Sequence, residues 1–272
     1  MIKLSYIHSK DFVYNIERSL SLIKTEVTKN IKNKTRVVVK IDIPKGASNQ
    51  IIEAPVLEAL LSFITPHSKN QITVVGQSSK GNTLDTFKNF GYLAFQDYYD
   101  FAINDLNDEE RVPTALLGQE ILVPKILNDA DYLIIISKPK ITDGKFCGAL
   151  TTLLTEGVEG KENIFDRILG RKKKLESISD SEMITNLFAQ YKVGLSIIDG
   201  QKTILDKNGN QDILPTNFAI SSTNPVEADV LAAMCLGFQP EDVDYLAKFN
   251  PNLSSVFVVG DDWNKYSLTP QN

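Results

Sequence analysis

A chain of 272 residues and 30.3 kDa can bury roughly three quarters of the surface it exposes when unfolded, so it needs no disulfide, metal or partner in order to fold. With 42% hydrophobic and 23% charged residues, 15 Gly and 11 Pro, disordered and fibrous classes are excluded. A formal net charge of −5 and a pI near 5.2 argue against a general nucleic-acid binder, which needs a basic face.

In chain order, Ile2–Ile7 reads as a first strand. From Asp11 to Asn30, Phe12, Ile16, Leu20, Ile23 and Val27 recur at spacings of three and four, one apolar helical face. Arg36–Ile43 is rich in β-branched residues, the mark of a strand buried on both sides. Ala54–Ile64 is a second helix with Pro55 in its first turn. A strand at Ile72–Gly76 and a helix at Thr83–Phe90 follow, the latter stopped by Gly91. Asp100–Arg111 carries acids without a period and is expected to be an exposed connection. Glu120–Val123 and Ala130–Ser137 are strands; the second holds the longest apolar stretch, far short of the roughly 20 residues that span a bilayer. Segment 138–175 is irregular and glycine-bearing. Ser179 and Glu182 have capping-box spacing ahead of a helix over Met183–Tyr191. Val193–Ile198 is a strand ending at Asp199-Gly200, and Phe218–Ser222 another. Asn224-Pro225-Val226-Glu227 starts a helix to Leu236. A helix at Glu241–Phe249 and a strand at Ser255–Gly260 close the series. Strands separated by helices imply a mostly parallel sheet with helices on both faces, in a single α/β domain over residues 1–272.

Chemistry-bearing residues are few in kind. Cys147, Cys235, His8 and His67 form no C-x-x-C or H-x-x-x-H pair, which excludes a Cys-ligated iron–sulfur cluster and a structural zinc. No metal ligand set and no particular cofactor is read. The loop Gly76-Gln77-Ser78-Ser79-Lys80-Gly81-Asn82-Thr83 follows the phosphate-loop pattern except that Asn82 stands where the lysine belongs. The contact to a triphosphate is lost, and a nucleotide triphosphatase is rejected. Ser78, Ser79 and Gly81 still offer hydroxyl and backbone donors to a small anion; the alternative is an ordinary polar loop. In Ser137-Lys138-Pro139-Lys140-Ile141-Thr142, Pro139 holds the backbone extended. Lys138 and Lys140 are then expected to project together near the strand end, to attract carboxylate or phosphate or simply to be solvated. Thr151 and Thr152 add hydroxyls in the stretch Gly144–Gly160, whose alternative is a ligand-free loop. Cys147 has no recognisable base beside it and reads as a small buried or semi-buried thiol. Asp199 and Asp42 sit at strand ends, where turn-making is the commoner role. Asp229 has apolar flanks and, if buried, needs a partner, for which Lys40 or Lys140 is expected to serve. The run Arg171–Lys174 reads as a solvated loop or helix end.

The pieces RVVVKIDIP, GQSSKGNTLDTFKNFGY, VPKILNDADYLIIISKPK, GALTTLL, VGLSIIDG and ISSTNPVEADVLAAMCLGF occur in an order that resembles the domain-of-unknown-function family 362, over about residues 36–246. The resemblance implies an α/β fold without an agreed reaction. Many members carry an added iron–sulfur module, whose cysteines this chain lacks. The family's second lysine and histidine after Pro139-Lys140 are Thr142 and Gly144 here, and its usual Lys-Asn is Thr151-Thr152. Lys40, Lys140, Asp199 and Asp229 stay matched, so the ligand differs or the site has lost chemistry.

The expectation is a cytoplasmic protein, without membrane or nucleic-acid partner, that binds a small anionic metabolite at the C-terminal edge of its sheet. Lys40 and Lys140 would hold the anion, helped by Ser78, Ser79, Gly81, Lys138, Thr142, Thr151 and Thr152. Lys140, Asp199 and Asp229 are the catalytic candidates. The competing reading is a non-catalytic protein-binding or scaffold module, a homo-oligomer included, that uses segment 144–174. Contact with RNA or DNA through Arg171–Lys174 is the weakest reading.

Overall fold

Two continuous apolar runs make the centre of the structure. The computed structural model describes residues 2–43, 51–77, 83–157, 178–251 and 256–268. Its elements begin with β1 (Ile2–His8), α1 (Phe12–Leu22), α2 (Lys24–Ile31), β2 (Val37–Ile41), α3 (Ala54–Ile64) and β3 (Ile72–Gly76). Next come α4 (Thr83–Asn89), β4 (Phe101–Asp105), β5 (Arg111–Leu116), β6 (Gln119–Pro124), α5 (Lys125–Asn128) and β7 (Tyr132–Ser137). β8 (Lys140–Thr142), β9 (Lys145–Cys147), α6 (Thr152–Gly157) and α7 (Asp180–Gln190) precede the long strands β10 (Val193–Lys207) and β11 (Asn210–Ser222). α8 (Pro225–Cys235), α9 (Asp244–Ala247) and β12 (Val256–Gly260) follow.

β2 and β7 lie side by side in parallel, and every residue of both is buried, as strands covered on both faces must be. They sit inside a ten-stranded sheet of order β12-β1-β11-β10-β7-β2-β3-β4, with β8 on the far half of β10 and β9 on β8. β10, β7, β2, β3 and β4 run parallel, whereas β11 is antiparallel to both β10 and β1. β5 and β6 form a separate hairpin.

Strand alternation sorts side chains into two cores. Val37, Val39, Ile41, Ile134, Ile136, Leu195 and Ile197 pack with Ile16, Leu20, Leu57 and Leu60 from α1 and α3. Val38, Leu133, Ile135 and Ile198 pack with Leu187 of α7 and Leu231 and Ala232 of α8. Residues Pro225 to Ala233 of α8 are all buried. Asn224 accepts the N–H of Val226 at its start, as the cap pattern predicts. The box of Ser179 with Glu182 forms at the start of α7.

Several expectations give way. The helix expected over 11–30 is two helices meeting at Ile23, whose N–H turns back to Leu20 and Ser21 while its side chain stays in the apolar face. The segment read as an exposed connection contains β4. As an edge strand paired only with β3, it buries Phe101 and Asp105 and leaves the residues between half-buried, so no alternation shows. Asp199-Gly200 does not end β10. A register shift between Gly200 and Lys202 carries the strand on to Lys207, and Phe218 covers Gly200 where a Cβ would lie 2.2 Å from its ring. The helix expected over 241–249 is only Asp244–Ala247, after a short turn at Pro240–Asp242. Residues 140–147 of the irregular segment are the β8–β9 hairpin, turned by Asp143 and Gly144 at φ 48° and 77°.

Candidate functional site

At the C-terminal ends of β2 and β3, where open α/β sheets bind ligands, a cavity of about 790 Å³ opens. Asp42 and Ile43 follow β2, Gln77 follows β3, and all three line it. Lys140 and Thr142 enter from β8, and Cys147 from β9, where it stands opposite Lys140 in the register. Thr151 and, from α9, Tyr245 complete the inner wall. Asp180, Asp206, Asp242 and Asp244 also line it.

Lys140 carries the cavity's inner positive charge. Its Nζ lies 2.6 Å from Asp42 Oδ2, with side-chain exposures of 22% and 7%. An ammonium has three donors; Asp42 takes one, which leaves donors for a ligand. Thr151 Oγ1 donates to the Gly148 carbonyl at 2.6 Å, so its oxygen is the part that can accept from a ligand. Burial pushes the Cys147 thiol up, against thiolate chemistry, even though Thr142 and the Lys140 charge pull the other way.

Lys138 is not part of this cavity. It shares the parity of Ile134 and Ile136 and is buried on their side of the sheet. Its Nζ lies 2.6 Å from Asp199 Oδ2 and 2.7 Å from Glu53 Oε2, and Lys202 reaches Glu53 Oε1 at 3.1 Å. Burial pulls the Lys138 pKa down, but Asp199 and Glu53 lift it above the ordinary lysine value. Burial raises Glu53, and its two lysine partners more than reverse this. Burial holds the Asp199 carboxyl up against the pull of Lys138. The arrangement is an ion cluster, enclosed at Lys138 and Asp199 and partly open at Glu53 and Lys202, that ties the entry of α3 to the end of β7 and the middle of β10.

The expected convergence of Lys40, Lys140, Asp199 and Asp229 on one spot is therefore corrected. Only Lys140 borders the cavity. Asp199 belongs to the Lys138 cluster on the other side of the sheet. Lys40, of one parity with Val38, is wholly buried within the sheet and does not line the cavity. Asp229 is fully buried behind the cavity wall, and its partners are not lysines: it accepts the N–H groups of Ala149 and Leu150 and the Tyr245 hydroxyl. Residues i and i+2 of a strand share a face, so a straight strand would have put Lys138 and Lys140 together. The ladder instead breaks at Pro139, between β7 and β8, and the two lysines take different acids. Thr152 is buried and donates to the Ala149 carbonyl at 2.7 Å, away from the lining. Ser78, Ser79, Gly81 and the run Arg171–Lys174 lie outside the described residues.

Reading of the sequence missed Tyr245 of the cavity and Glu53 of the ion cluster, and placed Asp42 among turn makers. Asp42 had a signal, an acid directly after a buried strand. Tyr245 had none, because its place depends on α9 docking against α7 and α8. Among the described residues, no group of three or more His, Cys, Asp or Glu side chains is placed to hold a metal ion. No described helix is long and apolar enough to cross a membrane.

The fold is similar to that of the lactate racemase apoprotein from Thermoanaerobacterium thermosaccharolyticum, with a TM-score of 0.54 and 13% identity, over 86% of this chain and 57% of that one. The chain thus spans little more than half of that protein's length. A structural-genomics protein from Thermotoga maritima gives a TM-score of 0.46 at 13% identity, over 78% of this chain and 57% of that one. At 13% identity the likeness to the racemase apoprotein concerns fold alone. No curated protein matches the sequence. The family model for "Domain of unknown function (DUF362)" matches residues 37–234, from the first residue of β2 into the last turn of α8. The chain belongs to the DUF362 family.

Proposed function

We propose that the chain binds a small cytoplasmic metabolite in the cavity at the C-terminal edge of its sheet, with a single carboxylate or phosphate group of the ligand seated on Lys140. The observation that carries this reading is the Lys140 ammonium, open to the cavity and only partly engaged by Asp42. The rest of the lining sets the ligand's character. Asp42, Asp180, Asp206, Asp242 and Asp244 outnumber Lys140 and Lys145, so a second negative charge on the ligand is repelled. Thr142 and Thr151 suit a hydroxyl-bearing acid. The free thiols of Cys147 and Cys235 suit a reducing compartment.

The test is thermal denaturation with a panel of L-lactate, D-lactate, malate, inorganic phosphate and glycerol 3-phosphate. Lactate enters because the similarly folded protein is a lactate racemase. A singly charged hydroxy acid is expected to raise the Tm, more than malate or a phosphate does, and Lys140→Ala is expected to abolish the rise. An equal rise in the folded variant removes Lys140 from the site. No rise with any of the five overturns the reading.

A further inference from the structure

Asp229 lies outside the cavity, yet it touches two of its walls. Oδ1 accepts the N–H of Ala149 at 2.7 Å, and Oδ2 accepts the N–H of Leu150 at 3.0 Å and the Tyr245 hydroxyl at 2.9 Å. The turn Gly148–Leu150 joins Cys147 to Thr151, both of which line the cavity, and Tyr245 lines it from α9. The carboxylate is at 0% exposure on a helix that is itself enclosed. Gly148 is the only residue type that fits beneath it, since a Cβ there would stand 2.5 Å from the Asp229 carboxyl carbon. Thr151 and Thr152 donate back to the carbonyls of Gly148 and Ala149, which stiffens the turn.

All three partners are donors, and an ionised carboxylate only accepts. A proton on either oxygen removes the charge that strengthens all three bonds and sets a hydrogen on an atom that a backbone N–H faces, so at least one of the two N–H bonds weakens, and Tyr245 keeps its contact with a protonated Oδ2 only by accepting instead of donating. We infer that Asp229 is a positioning residue whose carboxylate latches the Gly148–Leu150 turn to Tyr245 across the base of the cavity, and that its protonation loosens both walls and weakens ligand binding. Burial pushes the Asp229 pKa to about 6 against the pull of its hydrogen bonds, which places the change near neutrality. The titratable groups facing it are Tyr245 from α9 and Cys147 from β9, with Lys140 and Asp42 beyond Cys147. Burial drives both Tyr245 and Cys147 upward, so neither changes charge in the same range. The effect on ligand affinity rests on the proposed function; the latch itself does not.

The experiment follows the ¹⁵N amide signals of Ala149 and Leu150 in the whole chain between pH 5 and 7.5. The two are expected to move together with one midpoint near 6 in the native chain and to stay flat in Asp229→Asn. Flat signals in the native chain, or the same titration in Asp229→Asn, overturn the inference. Should Asp229→Asn fail to fold, Tyr245→Phe removes one donor and leaves the turn's two bonds. The midpoint is then expected to rise, and an unmoved midpoint removes Tyr245 from the latch. Alkylation of Cys147 by iodoacetamide at one fixed pH is expected to quicken several-fold in either variant; unchanged rates count against the walls being held. Titration of L-lactate at each pH is expected to show affinity falling with the same midpoint. Lactate affinity that stays constant while the amides titrate overturns the coupling to binding. Absence of lactate binding at every pH counts against the hydroxy-acid reading, with the amide titration still deciding the latch.

Discussion

Single side chains in this structure are held by charge sorting. Asp199 is the sharpest case, because its removal leaves Lys138 enclosed beside Glu53 alone. Taking one partner from a buried pair costs about 3–5 kcal/mol, and Asp199→Ala is expected to lower the unfolding free energy in urea by about that much. Asp229 gives a second prediction, through pH. Its folded pKa, about 6, stands above the ordinary carboxylate value of 3.8. Its contribution to stability is therefore fully present below about pH 4 and is lost as pH rises through 6. The free energy by which the native chain exceeds Asp229→Asn should grow as pH falls from 7.5 to 4.5, by about 2 kcal/mol. A difference that shrinks on acidification contradicts the buried carboxylate. Gly148→Ala should act on the same spot by driving the carboxylate away. Partial loss of the Tyr245 and Leu150 bonds would appear as faster amide exchange at Leu150.

Elements were legible where one local rule decided them. β3, α3 and the capped start of α8 fall where the periodicity and the Asn-Pro pair put them, because burial on one or both faces fixes their pattern. Asn224→Ala removes the bond to the Val226 N–H and is expected to cost about 1 kcal/mol, read as a lower urea midpoint with an unchanged slope. Elements defined by non-local pairing were not legible. β4 has a neighbour on one side only and shows no alternation. β5 carries Pro113, and its pattern shows only against β6. β10 passes through Asp199-Gly200, a pair that reads as a turn, because both residues stay paired with Ala219 and Phe218 of β11 and the register shift falls only after them. The site followed the same division. Lys140 and the sheet edge were legible from strand ends, whereas the pairing of Lys138 with Glu53 joins residues 85 positions apart and has no signature in either segment.

At the scale of the molecule, both cores share one sheet, and β2 and β7 contribute side chains to each. Neither core can be lost without stripping one face of the central strands. Trp263 packs against one core, and Tyr92 and Tyr132 lie in the other. Unfolding followed by tryptophan fluorescence and by far-ultraviolet circular dichroism is expected to give coincident transitions. A separate early fluorescence transition would show two independent units. The break between β7 and β8 has a wider consequence for how this protein tolerates change. Because the interruption parts two ammonium groups that pleating alone would set shoulder to shoulder, a replacement that lets the segment run straight strands one cation away from its acids. The damage from editing Pro139 would thus surface as a displaced lysine and a carboxylate left without its partner, although Pro139 itself bears no charge.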